Sequence, residues 1–133
     1  MLTHQLTLRT GDLMVTDLTG DIGAFCRPLG DGLLHVFAPH ATAGLALIEL
    51  GSGSEADLAE LVSRLVPRDD RWTHRHGSPG HGGDHVLPAL IAPARVLAVH
   101  AGRLALGTWQ SVVLVDPNGD NPIRTVQLSF LAG

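Results

Sequence analysis

Short apolar runs, broken by glycine, proline and aspartate, make up most of this chain, and only one stretch carries a clear helical repeat. That pattern commits the chain largely to strands, because strand side chains alternate between two faces whereas helical ones recur every three or four residues. LTHQLTLRT (2–10) alternates, with Leu2, His4, Leu6 and Leu8 on one face of a half-buried strand. Gly11-Asp12 is a turn, and MVT after it is a short second strand. GLLHVFAP (32–39) and AGLALIEL (43–50) read as buried strands. RVLAVHAGRLALGTWQSVVLVDP reads as two strands joined at His100-Ala101-Gly102, with Gly107 bending the second. PNGDNP is a turn, and IRTVQLSFL is the last strand.

Helical signals are fewer. Leu18, Ile22 and Phe25 suggest a short helix ended by Pro28 and Gly30. SGSEADLAELVSRLVP puts Leu58, Leu61, Val62 and Leu65 on one helical face, with Ser52 and Glu55 resembling a capping box and Pro67 closing the segment. Residues 67–84 form a long polar loop, a length that in compact domains marks function or disorder. A further short helix is expected to start near His85, with Pro88 tolerated in its first turn. The order ββαββαα-βββ predicts one α+β domain over residues 1–133, with largely antiparallel sheets.

Composition narrows the chemistry. A net charge of −4 argues against nucleic-acid backbone as a partner. Nine arginines and no lysine exclude a Schiff base, so any anion must be held by arginine, histidine or backbone N–H groups. Cys26 stands alone, which excludes an intrachain disulfide and cysteine-type zinc sites. Neither a signal peptide nor a membrane span is legible, and a cytoplasmic location is expected.

HRHGSPGHGGDH (74–85) gathers four of the eight histidines. Its spacing, His74-x-His76-x4-His81-x3-His85, matches no standard zinc pattern, and Gly82 and Gly83 argue against His81 and His85 sharing one helical face. On spacing alone a solvated loop leads over a metal site. His40, in PHATAG, stands where a buried strand ends, a usual place for functional side chains. His35 reads as a hydrogen-bonded core residue, and His4 and His100 as strand-edge and turn residues. Glu49 is either an acid/base or metal partner or the first exposed residue after a strand. Thr108, Trp109 and Gln110 offer a hydroxyl, an indole N–H and an amide, though on pattern alone ordinary packing of a large aromatic leads. Arg124 either holds a phosphate or is solvated.

The combination is more specific than its parts. GRLALGTWQSV, preceded by ARVLAVHA, resembles the signature of the YjbQ-like family of uncharacterised proteins, also described as secondary thiamine-phosphate synthases. HATAGLALIE matches that family's segment at His40, Thr42, Ala43 and Glu49, and Trp72, His74 and His85 reproduce its aromatic-to-histidine spacing. The resemblance implies two packed sheets in a homotrimer built around a threefold axis. It implies His40, His74 and His85 as ligands of a divalent metal, zinc or another transition metal, or magnesium with a pyrophosphate substrate. Glu49, Trp109 and Gln110 would lie near the pocket as catalytic groups, and Thr42, Thr108 and Arg124 would contact a small phosphorylated metabolite. His81 replaces a usual asparagine and would support the ligands or join them.

The implied activity couples a hydroxymethylpyrimidine pyrophosphate to a thiazole phosphate. The alternatives are a metal-dependent hydrolase with Glu49 as base, a non-catalytic metal- or metabolite-binding trimer, or a structural oligomer. Departures from the family pattern are Ala94 for a serine, Ile48 for a frequent asparagine, and GSPGHGGD before the second histidine. A further departure is the turn Asp116-Pro117-Asn118-Gly119-Asp120-Asn121, which lacks the family's first arginine and leaves Arg124.

Overall fold

The computed structural model describes residues 1–133. In chain order it contains β1 (Leu2–Arg9), β2 (Val15–Asp17), α1 (Thr19–Cys26), β3 (Gly32–Phe37), β4 (Gly44–Ile48) and α2 (Ser54–Leu65). A 3-10 helix (His81–Val86) then runs into α3 (Leu87–Leu90), followed by β5 (Ala94–His100), β6 (Arg103–Leu104), β7 (Ser111–Val115) and β8 (Ile123–Ala132). The strands form two sheets, ordered β1-β8-β3-β5-β6 and β2-β7-β4, and every pairing is antiparallel. The α+β expectation therefore holds.

Alternation builds three layers. Leu34 and Val36 of β3, Leu97 and Val99 of β5, and Val126, Leu128 and Phe130 of β8 all point inward from the larger sheet. They meet Leu45, Val112 and Leu114 of the smaller sheet, with Ile22 and Cys26 of α1 closing one end. The opposite face of β7, Val113 and Val115, packs on Val62, Val66 and Leu87 of the helical layer. SVVLV is a continuous apolar run because β7 is covered on both sides.

Four local expectations are corrected. His35 is exposed rather than in the core, since the alternation that buries Leu34 and Val36 turns it outward. No capping box forms on α2, because Gly53 takes the N-cap position with φ 101° and the Ser52 hydroxyl instead lies 3.4 Å from Glu49 Oε1. Leu61 and Leu65 remain 51% and 56% exposed: α2 covers only the narrow three-stranded sheet, which has room for one stripe of its side chains. The second strand of the 94–116 segment is split. β6 has two residues, and the chain then crosses to the other sheet through a turn closed by Gln110, whose N–H donates to Gly107 O and whose Oε1 accepts from the Gly107 N–H.

Leu128 is fully buried at the middle of β8, with β1 on one side and β3 on the other. Its replacement by alanine is expected to lower the unfolding free energy by about 2–5 kcal/mol. A urea titration checks this as a shifted midpoint with an unchanged slope.

Candidate metal centre

The 3-10 helix overturns the objection raised by its glycines. A Cβ on Gly83 would lie 2.8 Å from the Trp72 ring, and one on Gly82 would lie 2.5 Å from His74 O. These two positions face Trp72 and the His74 backbone, so the helix can press against that segment, and the His81 and His85 rings still come together with centroids 5.2 Å apart. Trp72 is itself anchored by its indole N–H, which donates to Pro67 O at 2.8 Å. Gly77, at φ 87°, turns the loop back so closely that a Cβ there would lie 2.7 Å from the His81 ring.

The result is a cluster of imidazoles. One ring nitrogen from each of His74, His81 and His85 falls within 4.8 Å of the other two. His76 is exposed beside them, with its ring centroid 4.1 Å from that of His74. The His81 ring is oriented by the backbone: Nδ1–H donates to Ser78 O at 2.7 Å, leaving the Nε2 lone pair toward His74. The two Nε2 atoms are 3.1 Å apart. Two nitrogen ligands on a tetrahedral zinc stand about 3.3 Å apart, so the His74–His81 pair is close to that spacing, and the His85 nitrogen falls within 4.8 Å of both. The donor set of three imidazoles fits zinc or another late transition metal, and it fits magnesium poorly, since magnesium prefers oxygen.

His40 lies on the wall of the same pocket, a cavity of about 400 Å³ that His76, His81, His85, Thr42, Asn118 and Arg124 also line. His40 Nε2 lies 2.9 Å from the Thr125 carbonyl oxygen and 3.0 Å from the Thr125 nitrogen, on the backbone of β8, and this ring is not one of the three clustered imidazoles. A buried polar network adjoins the histidines, and of its members the sequence singled out Thr42 and Arg124. Asp116 Oδ2 accepts from Arg124 Nε at 2.6 Å, and Oδ1 accepts from the Thr42 hydroxyl at 2.8 Å and the Asn118 N–H at 3.0 Å. Asn118 Nδ2 and Arg68 Nη2 both donate to Asp84 Oδ2, at 3.0 and 2.6 Å. Asp84 Oδ1 is buried with no partner, and burial raises its pKa against the opposing pull of Arg68 and Asn118. For Asp116 and Asn118 the only sequence signal was an acidic, asparagine-rich turn.

The remaining expected site residues are elsewhere. β4 and β7 pair from Gly44↔Val115, next to Thr42 and Asp116, to Ile48↔Ser111. Glu49, Thr108, Trp109 and Gln110 follow or precede that far pair, about 13 Å along the strands from the pocket end. All four are exposed, Trp109 at 72%. Within one chain they do not join the histidines.

The sequence pattern described as "UPF0047 protein YjbQ-like" matches residues 4–133. The chain belongs to this family. The UPF0047 protein Rv2556c of Mycobacterium tuberculosis is 54% identical over 131 residues, covering 98% of each chain. A UPF0047 protein of Archaeoglobus fulgidus is 30% identical over 123 residues, 92% of this chain and 96% of its own. Among solved structures, the hypothetical protein APE1520 from Aeropyrum pernix K1 superposes with a TM-score of 0.90 at 33% identity over the whole of both chains. The conserved hypothetical protein TT1486 from Thermus thermophilus does so at 0.85 and 29%, covering 96% of this chain and 99% of that one. These likenesses carry the fold and the family, and the names attach no reaction.

Desolvation, followed by the charges of His76, His85 and His81, holds the His74 pKa below the ordinary 6.5. The unfolded chain therefore binds this proton more readily than the folded one, and acid favours unfolding. The metal-free protein is expected to keep this contribution above pH 6.5 and lose it as the pH falls from there through the lowered folded value. Urea midpoints across that window should fall in the wild type and fall less in His74→Gln.

Proposed function

We propose that the pocket is a metal-dependent site for a small phosphorylated metabolite, with coupling of the secondary thiamine-phosphate synthase type as its reaction, in a cytoplasmic homotrimer. The observation that carries the metal is the His81 ring: its Nδ1–H is committed to Ser78 O and its Nε2 faces His74 at 3.1 Å. In this reading His74, His81 and His85 hold the ion, and His40 stands beside it on the pocket wall. The bound ion supplies Lewis acidity toward phosphate oxygens. Arg124 adds guanidinium N–H groups to the same lining, and Asn118 and Asp120 contribute to its polarity. A leaving pyrophosphate is thus met by the charge of the ion and by the N–H groups of Arg124.

The nitrogen-only donor set also favours a second reading, a metal-dependent hydrolase of the same ligand class, because zinc suits it better than the magnesium usual in pyrophosphate chemistry. The two differ in product. Coupling releases pyrophosphate only when both substrates are present, whereas hydrolysis releases phosphate from one alone. Glu49, Thr108, Trp109 and Gln110 enter either reading through the trimer, where an exposed tryptophan at the far end of one chain can serve a neighbour's pocket.

Metal content by plasma emission is the first test. About one zinc or similar ion per chain is expected in the wild type, lost in His74→Ala, His81→Ala and His85→Ala and retained in His40→Ala. Loss in His40→Ala with retention in His81→Ala would move the third position to His40. A wild type that takes up no metal would end the reading.

Assembly has its own check. Leu33, Val96 and Leu131 lie on the outer face of the larger sheet and are 49%, 61% and 59% exposed, an apolar stripe suited to burial between copies. Val96→Glu with Leu131→Glu is expected to reduce the sedimentation mass from three chains to one while the circular dichroism of the fold is retained. A wild type already at the monomer mass would remove the trimer.

A further inference from the structure

Arg124 combines two properties that seldom coexist. Its side chain is 7% exposed, yet it lines the histidine pocket, and it is the one arginine among the pocket's lining residues. A buried guanidinium is unfavourable unless its charge is matched and its hydrogens are taken up. Asp116, 2% exposed, meets that need along one edge through the 2.6 Å bond from Nε. The carboxylate is fixed in turn. Its other oxygen accepts from the Thr42 hydroxyl and the Asn118 N–H, so it cannot rotate without giving up those bonds. Thr42 has donated its single proton to Asp116, and its oxygen therefore faces Arg124 Nη2, at 3.4 Å, as an acceptor. Arg124 Nη1 makes no hydrogen bond within the protein.

Asp116 thus takes one edge of the guanidinium and leaves the other for a ligand. A charge-paired arginine draws anions weakly from a distance, but one whose N–H groups are already aimed loses little freedom when an oxyanion arrives. A metal held by the histidines would supply the net attraction. Tetrahedral phosphate oxygens match the planar fork that remains. We infer that Asp116, steadied by Thr42 and Asn118, is a positioning residue that aims Arg124 into the histidine pocket as a preset receptor for a phosphate oxyanion. This rests on the metal-and-phosphate reading of the same pocket.

Inorganic phosphate is the probe, titrated by calorimetry into zinc-loaded protein freed of excess metal. Arg124→Ala is expected to weaken phosphate binding by about tenfold or more, the worth of a charge-assisted hydrogen bond. Asp116→Asn, which turns an amide N–H₂ toward Nε, is expected to cause a comparable loss with zinc content unchanged. The double variant Asp116→Asn with Arg124→Ala should bind no worse than Arg124→Ala alone, because Asp116 acts only through the arginine. Should Asp116→Asn fail to fold, Thr42→Val carries the same test with a smaller loss that again vanishes beside Arg124→Ala. Three outcomes overturn the proposal. If Arg124→Ala loses phosphate while Asp116→Asn, or Thr42→Val in its place, binds as the wild type does, the positioning role fails and the phosphate reading stands. If the Asp116 loss persists undiminished beside Arg124→Ala, Asp116 is merely structural. If zinc-loaded wild type binds no phosphate, or Arg124→Ala changes nothing, the phosphate reading fails and the positioning role falls with it.

Discussion

The pocket depends on β7 being buried on both faces. Val112 and Leu114 point into the larger core and Val113 and Val115 into the helical layer, and none is more than 1% exposed. A central strand packed at crystal-like density on both sides has no room to shift or twist. Its last residue therefore delivers Asp116 to one place, where the Asp116 N–H donates to Met14 O at 2.8 Å. Arg124, at the start of β8, meets it from the other sheet. The pair stands where the two sheets' connections converge, on elements stiff enough to hold a fixed geometry.

The histidine wall is built by other means. No strand runs through residues 67–80, and the segment is held by single points: the Trp72 indole on Pro67, the 3-10 helix on Trp72, and Arg68 on Asp84. Asn118 joins the two walls. Its backbone N–H serves Asp116 and its side-chain amide serves Asp84, so one residue of the turn touches both the arginine network and the carboxylate between His81 and His85. A low-dielectric network of this kind is rigid while every member is paired. Its one fully buried atom without a partner, Asp84 Oδ1, belongs to a residue bracketed by two of the clustered imidazoles.

Strands and the main helix were legible because each owes its existence to a local repeat: alternation for β1, β3 and β8, and a three-to-four spacing for α2. Boundaries suffered where a neighbour decided them. Leu61 and Leu65 fit the helical stripe as well as Val62 does, yet only Val62 found a surface to cover. His35 sat in an apolar run whose face was set by its pairing with Val96 and Ser129. Gly82 and Gly83 looked like helix breakers in the sequence. In the fold they are what lets the 3-10 helix approach Trp72.

Residue types and their local spacing determined the secondary structure, the absence of lysine chemistry and a histidine-rich loop able to offer several imidazoles. They also placed His74 and His85 among the candidates. Which nitrogens converge was decided only in three dimensions, because His81 is aimed by the Ser78 carbonyl and His40 contacts the Thr125 backbone of β8. The same holds for Asp116 and Arg124, which face each other because two sheets pack. Glu49 and Trp109 lie away from them because an antiparallel pair has two ends. Local sequence sets the torsions of each segment, whereas the contents of a pocket are set by long-range pairing that no short window contains.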